Sequence, residues 1–399
     1  MLLLSRKIQQ IEESQTLALT ALALKLKSEG VDVISLAAGE PDFPTPAHVK
    51  QAAMKAIELN FTHYTPNNGI PELREAIAKK FARDNNLHFS PNQILVSCGA
   101  KHSIFNVVQA LCNNGDEVIV ISPYWVSYPE IVKMANAKPV ILNTSAESDF
   151  KLNASQLRRA ITSRTKLLIF NSPCNPTGTV YTRAEIEELA QAVHATGVFV
   201  ISDEIYERVI YDGIEHFSIG SIQRIADQVI TVNGVSKAYA MTGWRIGYLG
   251  GRKDVVDAAA KVQSQTTSNP TSISQKAALA AITGSDEDLK NMTAEFQRRR
   301  ECLCKQLRSM KEFKYKIPRG AFYLFPNVKS LYGRIGNTSL LKNSADVCQY
   351  LLQEARVASV PGSAFGAEDH IRLSYACSIE TLETAVERIR SAVLRLKPV

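Results

Sequence analysis

The feature that most limits the fold of this 399-residue chain is a run of short, β-branched strands alternating with helical stretches. Strand candidates lie at 94–97, 117–121, 139–142, 166–171, 198–202, 229–232 and 246–249. Helical periodicity at 103–111, 183–195 and 253–261 separates several of them. Strands of this kind need cover on both faces, which predicts a mostly parallel sheet sandwiched by helices, an α/β fold. The length exceeds what a single core usually serves, so two domains are expected. Helical stretches at 47–59 and 73–85 lead into the alternation, and a charged helical run at 285–310 leads out. Beyond it AFYLFPNV and HIRLSYA read as short strands, with helices near 344–355 and at the C-terminus. Residues 1–30 read as an amphipathic helix start and a second helical run ended by Gly30, followed by a short strand at 33–38. The expected division is a large domain over 45–290, with segment 1–44 and residues 291–399 together building a smaller α+β domain.

In open parallel sheets, ligands bind beyond the carboxyl ends of the strands, and four candidate strands here end in polar or special residues. One runs into Cys98-Gly99-Ala100-Lys101 and a helix; another into Ser172-Pro173-Cys174-Asn175-Pro176-Thr177-Gly178. A third ends in Asp203-Glu204-Ile205-Tyr206, and the fourth in Asn233-Gly234-Val235-Ser236-Lys237. Each alone has a plain structural reading: Asp203 as a helix cap, NPTG as a tight turn, Lys237 as a surface lysine. Four at equivalent topological positions are harder to explain that way. The glycine–helix junction at 99–103 offers free backbone N–H groups and a positive dipole end, which suit a phosphate. Neither G-x-x-x-x-G-K-[ST] nor G-x-G-x-x-G occurs, so the nucleotide-binding loops of those kinds are excluded. What remains is a phosphate bearer that also wants an acid, a tyrosine and a lysine. Pyridoxal phosphate meets that description, because its aldehyde needs a lysine amine and its ring nitrogen needs a carboxylate.

The net charge of +7 is spread among 39 acidic residues, and the one dense basic run, 298–300, reads as a helix face. No basic stripe or recognition motif suggests nucleic acid, and the excess charge suits anionic small molecules. Seven scattered cysteines without a C-x-x-C pair point to reduced thiols and no metal centre. The opening MLLLSRKIQQIEES is too briefly apolar for a signal peptide, and no stretch is long enough to span a bilayer. A cytoplasmic protein without membrane contact is expected.

These residues carry a resemblance. From AAGEPDFPTP through YTPNNGIPELREAI, SPYWVSYPE, NSPCNPTGTVY, SDEIYERVIYDG and SKAYAMTGWRIGY to VPGSAFG and IRLSYA, the chain is similar to class I pyridoxal-phosphate aminotransferases of fold type I, aspartate aminotransferase branch. The resemblance implies that Lys237 anchors the cofactor covalently and later shuttles a proton. It implies that Asp203 pairs with the ring nitrogen, that Tyr206 and Asn175 hold the ring hydroxyl oxygen, and that Trp125 stacks on the ring. Trp125 equally suits a core aromatic. Gly99, Ala100, the amides that follow, Ser236 and Arg245 are expected to hold the phosphate, an arginine fork being well matched to it. Many relatives carry a serine three residues before the lysine; here that position is Gly234. Tyr64 is expected to reach the phosphate of a neighbouring subunit, which makes the enzyme a homodimer.

For substrate, the resemblance makes Arg372 the clamp on the α-carboxylate, with Asn175 and the Gly39 backbone. Its position in a short strand also fits an edge arginine facing solvent. Lys101 is the candidate for the distal carboxylate of a dicarboxylic acid, with Ser14 and Thr16 nearby. Some relatives also act on prephenate and carry a basic residue where this chain has Glu12, so weak prephenate activity is expected. The expected reaction is aspartate plus 2-oxoglutarate to oxaloacetate plus glutamate. The alternatives are a transaminase of other scope (aromatic amino acids, alanine or prephenate), a lyase, or a non-catalytic cofactor-binding regulator.

Overall fold

The computed structural model describes residues 4–5, 7–336 and 339–398. Residues 1–3 and 6 of the expected N-terminal helix start lie outside them. Among the described residues, the centre of the molecule is a seven-stranded sheet. Its strands are β1 (Ile94–Ser97), β2 (Glu117–Ser122), β3 (Lys138–Asn143), β4 (Thr165–Asn171), β5 (Phe199–Asp203), β6 (Val229–Gly234) and β7 (Gly247–Gly250). The order across the sheet is β1-β7-β6-β5-β4-β2-β3. Six strands point the same way, and β7 alone runs against both its neighbours. β5, β6 and β7 are buried along their whole length, which is why they read as continuous apolar runs.

The helices of the first half are α1 (Gln15–Ser28), α2 (Ala47–Glu58), α3 (Pro71–Asn85), α4 (Ala100–Leu111), α5 (Ser127–Met134), α6 (Ala154–Ala160) and α7 (Arg183–Val193). Then follow α8 (Lys253–Ser264), α9 (Ser272–Thr283), α10 (Glu287–Leu307), α11 (Ser344–Tyr350) and α12 (Ile379–Leu394). Alternate strand residues point to opposite faces. Leu167 and Ile169 therefore meet Ile104, Ile131 and Val256 of α4, α5 and α8. Leu168 and Phe170 meet Leu157, Ile186 and Leu189 of α6 and α7.

The chain ends come together. Ile34–Ser35 pairs in parallel with Val357–Ala358, and Leu36 shares an apolar cluster with Phe296, Leu303, Leu382 and Ile389. Ile371–Ser374 lies between Tyr323–Leu324 and Val360–Pro361 in a small antiparallel sheet. The solvent-facing edge reading of Arg372 is thereby overturned: its strand is central, and the residue is 1% exposed. The strand expected at 33–38 shortens to two residues. The helix expected from 103 begins at Ala100, because Gly99 at φ +91° turns the chain directly into it. The 298–300 run does not form one helix face: Arg298 is exposed, while the next two residues are buried. Successive helical residues point about 100° apart, so Arg299 and Arg300 turn inward and pair with Asp42 and Asp212 at 2.6 and 2.7 Å.

Candidate active site

Parallel strands bring their carboxyl ends to one rim, and the turns after β1, β4, β5 and β6 converge on a cavity of about 490 Å³. The turn after β6 delivers Lys237, whose Nζ donates to the Gly39 carbonyl at 2.5 Å. Burial lowers the pKa of this lysine to about 8, with Glu40 opposing and the cations of Arg372 and Arg245 adding to the effect. A share of its amines is therefore neutral near physiological pH, and a neutral amine is the nucleophilic form.

Asp203 closes β5, inside the strand rather than after it. Its Oδ2 accepts from the Tyr128 hydroxyl at 2.7 Å and its Oδ1 from the Ile205 amide at 3.2 Å. Burial pushes the carboxyl up to about 6 against these two donors, while Glu204 raises it further and Lys237 lowers it. The Tyr206 hydroxyl shares a hydrogen bond of 2.7 Å with that of Tyr323. The loop after β4 is held by its own asparagines, since the Asn175 amide donates to Asn171 Oδ1 at 3.0 Å.

Arg372 is the most deeply placed cation of the site. Its Nη1 donates to Asn175 Oδ1 at 2.9 Å and its Nη2 to the Ala37 carbonyl at 2.8 Å. The guanidinium lies over the rings of Tyr323 and Phe365, 4.4 and 5.1 Å from their centroids. Burial holds its pKa below the usual arginine range, with Tyr323 and Tyr206 pulling the other way. Among the described residues no carboxylate pairs with it, so this dry cation is presented with neutral partners and an open face of the cavity.

At the opposite wall, Gly99 caps α4 and lies behind Ala100, which lines the cavity with Lys101. The first N–H groups of the helix have no partner within it. A Cβ at Gly99 would run into the Arg245 guanidinium, so glycine lets that charge come close to the helix end. Arg245 is itself tied to the Thr242 carbonyl at 2.9 Å, and Ser236 is buried on the same wall. The position without the hydroxyl, Gly234, is tightly packed. A Cβ there would stand 3.0 Å from both Gly247 Cα and the Ile246 carbonyl, so a serine needs the chain at β7 to give by a few tenths of an ångström.

Trp125 lines the cavity, with the Lys101 ammonium 5.0 Å from its ring centroid. Partial burial and the nearby Arg245 charge lower the pKa of Lys101. Thr16 and Ser14, at the start of α1, share a hydrogen bond of 2.9 Å and line the mouth. Tyr64 does not come to this cavity and is 92% exposed. Glu12 lines a neighbouring groove, its amide bound to Glu130 at 3.0 Å.

Several residues that meet at the site escaped the sequence reading, chief among them Tyr128 and Tyr323, with Glu40 and Thr242 joined at the mouth by 2.7 Å. The signal for Tyr128 was its spacing from Trp125, three residues along, which brings the two rings edge to face at 5.4 Å. Behind Asp203, the side chains of Glu204, Glu207 and His216 lie close enough together for a metal. The Lys80 ammonium is already paired with Glu207, and Asn85 and His216 serve Glu204 at 3.0 and 2.9 Å. The cluster is thus a satisfied ion network.

Comparison with known proteins agrees with this geometry. Residues 31–389 match the model of the family "Aminotransferase class I and II". An aspartate aminotransferase of Bacillus sp. (strain YM-2) is 46% identical over 388 residues, 97% of this chain and 98% of the relative. A bifunctional aspartate aminotransferase and glutamate/aspartate-prephenate aminotransferase of Petunia hybrida is 48% identical over 99% of this chain and 84% of its own. The crystal structure of the aspartate aminotransferase from Rhizobium meliloti superposes with a TM-score of 0.95 at 43% identity, covering 100% of both chains. The fold, the strand-end cavity and these full-length matches lead to one conclusion: the chain belongs to the class I and II aminotransferases.

Proposed function

We propose that this aminotransferase binds pyridoxal 5′-phosphate through Lys237 and converts aspartate and 2-oxoglutarate to oxaloacetate and glutamate by a ping-pong route. The observation that carries the reading is the pairing, across one cavity, of a lysine made less basic by burial with a buried carboxylate that has no cationic hydrogen-bond partner. The donor set fits the cofactor. The α4 N-terminus, Ser236 and Arg245 form a cradle for a dianion, and Asp203 has the charge that a protonated ring nitrogen needs. When bound, pyridoxal phosphate supplies an aldehyde for the amino group and a ring that accepts electron density from the substrate Cα.

The remaining work falls to side chains. Asp203 would hold a proton on the ring nitrogen, Tyr206 and Asn175 would hold the ring oxygen, and Trp125 would pack against the ring. The Lys237 amine, made less basic by burial, would take the proton from the substrate Cα. Arg372, with Asn175 and the strap at Gly39, takes the α-carboxylate common to every amino acid substrate. Lys101, supported by Thr16 and Ser14, takes the distal carboxylate, which favours aspartate and glutamate. The aspartate aminotransferases that match over nearly the whole chain support that choice.

The same reading includes a cytoplasmic homodimer in which Tyr64 reaches the neighbouring phosphate. Its 92% exposure, together with the exposed Met54, Ile57 and Leu59, supports a covered surface there. No helix among the described residues is long and apolar enough to cross a membrane. The division into segment 1–44, a large domain over 45–290 and a small domain over 291–399 is part of the proposal, supported by the pairing of Ile34–Ser35 with Val357–Ala358.

The test is a half-reaction screen that follows the cofactor absorption band on adding aspartate, glutamate, tyrosine, alanine or arogenate. Loss of the band with the dicarboxylic acids first is expected, and Lys101→Ala should lose aspartate while keeping alanine. Unchanged aspartate turnover would remove Lys101 from the reading. A Lys237→Ala protein that still forms a borohydride-reducible adduct would refute the anchor. Prephenate is the second substrate to consider, since the Petunia hybrida relative is described as acting on it. With Glu12 outside the main cavity and acidic, turnover well below that of oxaloacetate is expected.

A further inference from the structure

Tyr128 is 3% exposed and stands in the first turn of α5, with its hydroxyl 2.7 Å from Asp203 Oδ2. Its ring meets that of Trp125 edge to face, at 5.4 Å and 83°. One side chain thus touches two of the residues assigned above to the cofactor ring, Asp203 and Trp125. We propose that Tyr128 is a positioning residue whose hydroxyl keeps Asp203 a carboxylate and so keeps a proton on the ring nitrogen of the bound cofactor. The proposal rests on the pyridoxal phosphate reading.

The surroundings of Asp203 explain why it needs such a donor. The next residue, Glu204, accepts from Asn85, His216, Ser202 and Ser218. Although burial works the other way, these partners hold the Glu204 carboxyl below the usual range. A fixed negative charge therefore sits beside Asp203 and raises its affinity for a proton. Lys237 opposes this from across the cavity, but only while its own nitrogen carries a proton. The Cys174 thiol and the Tyr206 hydroxyl stay neutral, because burial pushes both pKa values up. The Tyr128 hydroxyl, likewise kept protonated by burial, is then the side-chain donor that favours the anion of Asp203. Without it, the proton passes from the ring nitrogen to Asp203 Oδ2. No other species gains or loses charge, and the ring becomes a weaker electron sink.

The experiment uses the Tyr128→Phe holoenzyme, which keeps the ring packed against Trp125 and removes only the hydroxyl, loaded with pyridoxal phosphate labelled with ¹⁵N in the ring. At pH 7.5 the ring-nitrogen resonance should lie at the pyridinium position in the wild type and move toward free pyridine in the variant. Losing one charge-assisted hydrogen bond, worth roughly one pKa unit or more, should lower kcat about tenfold with KM changed less than about twofold. In an Asp203→Asn background the same substitution should cost nothing further, because the hydroxyl acts only through the carboxylate. An identical ¹⁵N resonance in both proteins overturns the proposal, as does an equal loss in both backgrounds. Failure of the wild-type protein to take up pyridoxal phosphate overturns the cofactor reading, and the proposal with it.

Discussion

Replacing Arg372 by methionine separates what this residue does for catalysis from what it does for the fold. The guanidinium is 1% exposed and spends two of its donors on Asn175 Oδ1 and the Ala37 carbonyl. It has no carboxylate partner among the described residues, and its Nε is unpaired. Removing it strands two acceptors, at about 1–3 kcal/mol each if water does not reach them. It also removes an uncompensated buried charge, whose desolvation costs several kcal/mol. These effects nearly cancel, so urea denaturation of the cofactor-free protein should show stability within about 2 kcal/mol of wild type. Substrate binding has no such compensation. A carboxylate held by two charge-assisted hydrogen bonds loses about 3–6 kcal/mol, so kcat/KM should fall by about 10²- to 10⁴-fold. The factor should be similar for aspartate, glutamate and alanine, because all present the same α-carboxylate. A large loss of stability with kcat/KM per folded molecule unchanged would refute the assignment, and so would a loss confined to dicarboxylic substrates.

Further outcomes follow from other parts of the structure. Lys237 has a folded pKa near 8, below its ordinary value of 10.5, so the unfolded chain binds more protons between those limits. Its contribution therefore makes the cofactor-free protein more stable as pH rises from about 8 to 10.5 and is flat below that window. Cofactor capture by the apoenzyme should speed up through pH 8 and then level off, and a flat rate profile would contradict the buried amine. Gly234→Ser should not restore a phosphate contact. Its Cβ meets β7 at 3.0 Å, so thermal melts should show a loss of roughly 1–3 kcal/mol and weaker cofactor retention, whereas tighter retention would refute the steric explanation. Lys80→Met leaves Glu207 buried without its cation, which should cost about 3–5 kcal/mol in urea titration. Chelation by EDTA should leave the melting temperature unmoved, since a lysine already serves the Glu204, Glu207 and His216 group.

The local pattern of the chain was enough to indicate the sheet and the strand ends that meet at its rim; the roles of Trp125, Arg245 and Arg372 came from the resemblance. Continuous apolar runs of strand length between helices require a sheet covered on both faces, and parallel strands bring their carboxyl ends to one rim. Once the strands at 166–171, 198–202 and 229–232 were recognised, Asn175, Asp203 and Lys237 had to lie near one another. The missing hydroxyl at Gly234 was legible only through the resemblance to relatives with a serine there. The close packing at Gly234 was not visible, because Gly247 and Ile246 come to it from a distant part of the chain.

Tertiary structure decided everything that depends on which distant side chains share a space. Periodicity reports which way a residue faces relative to its own element, and says nothing of what packs on that face. Arg372 alternates with Ile371 and Leu373 as an edge residue would, yet flanking strands and the rings of Tyr323 and Phe365 bury it. The contact between Lys237 and Gly39 joins residues 198 positions apart, and no local pattern in the chain announces it. The bond from Tyr128 to Asp203 crosses from a helix on one face of the sheet to the end of a central strand. The sequence by itself thus determined the scaffold and its chemical inventory. The packing of the two chain ends against the sheet decided which of those groups are dry, which are paired, and which face the cavity.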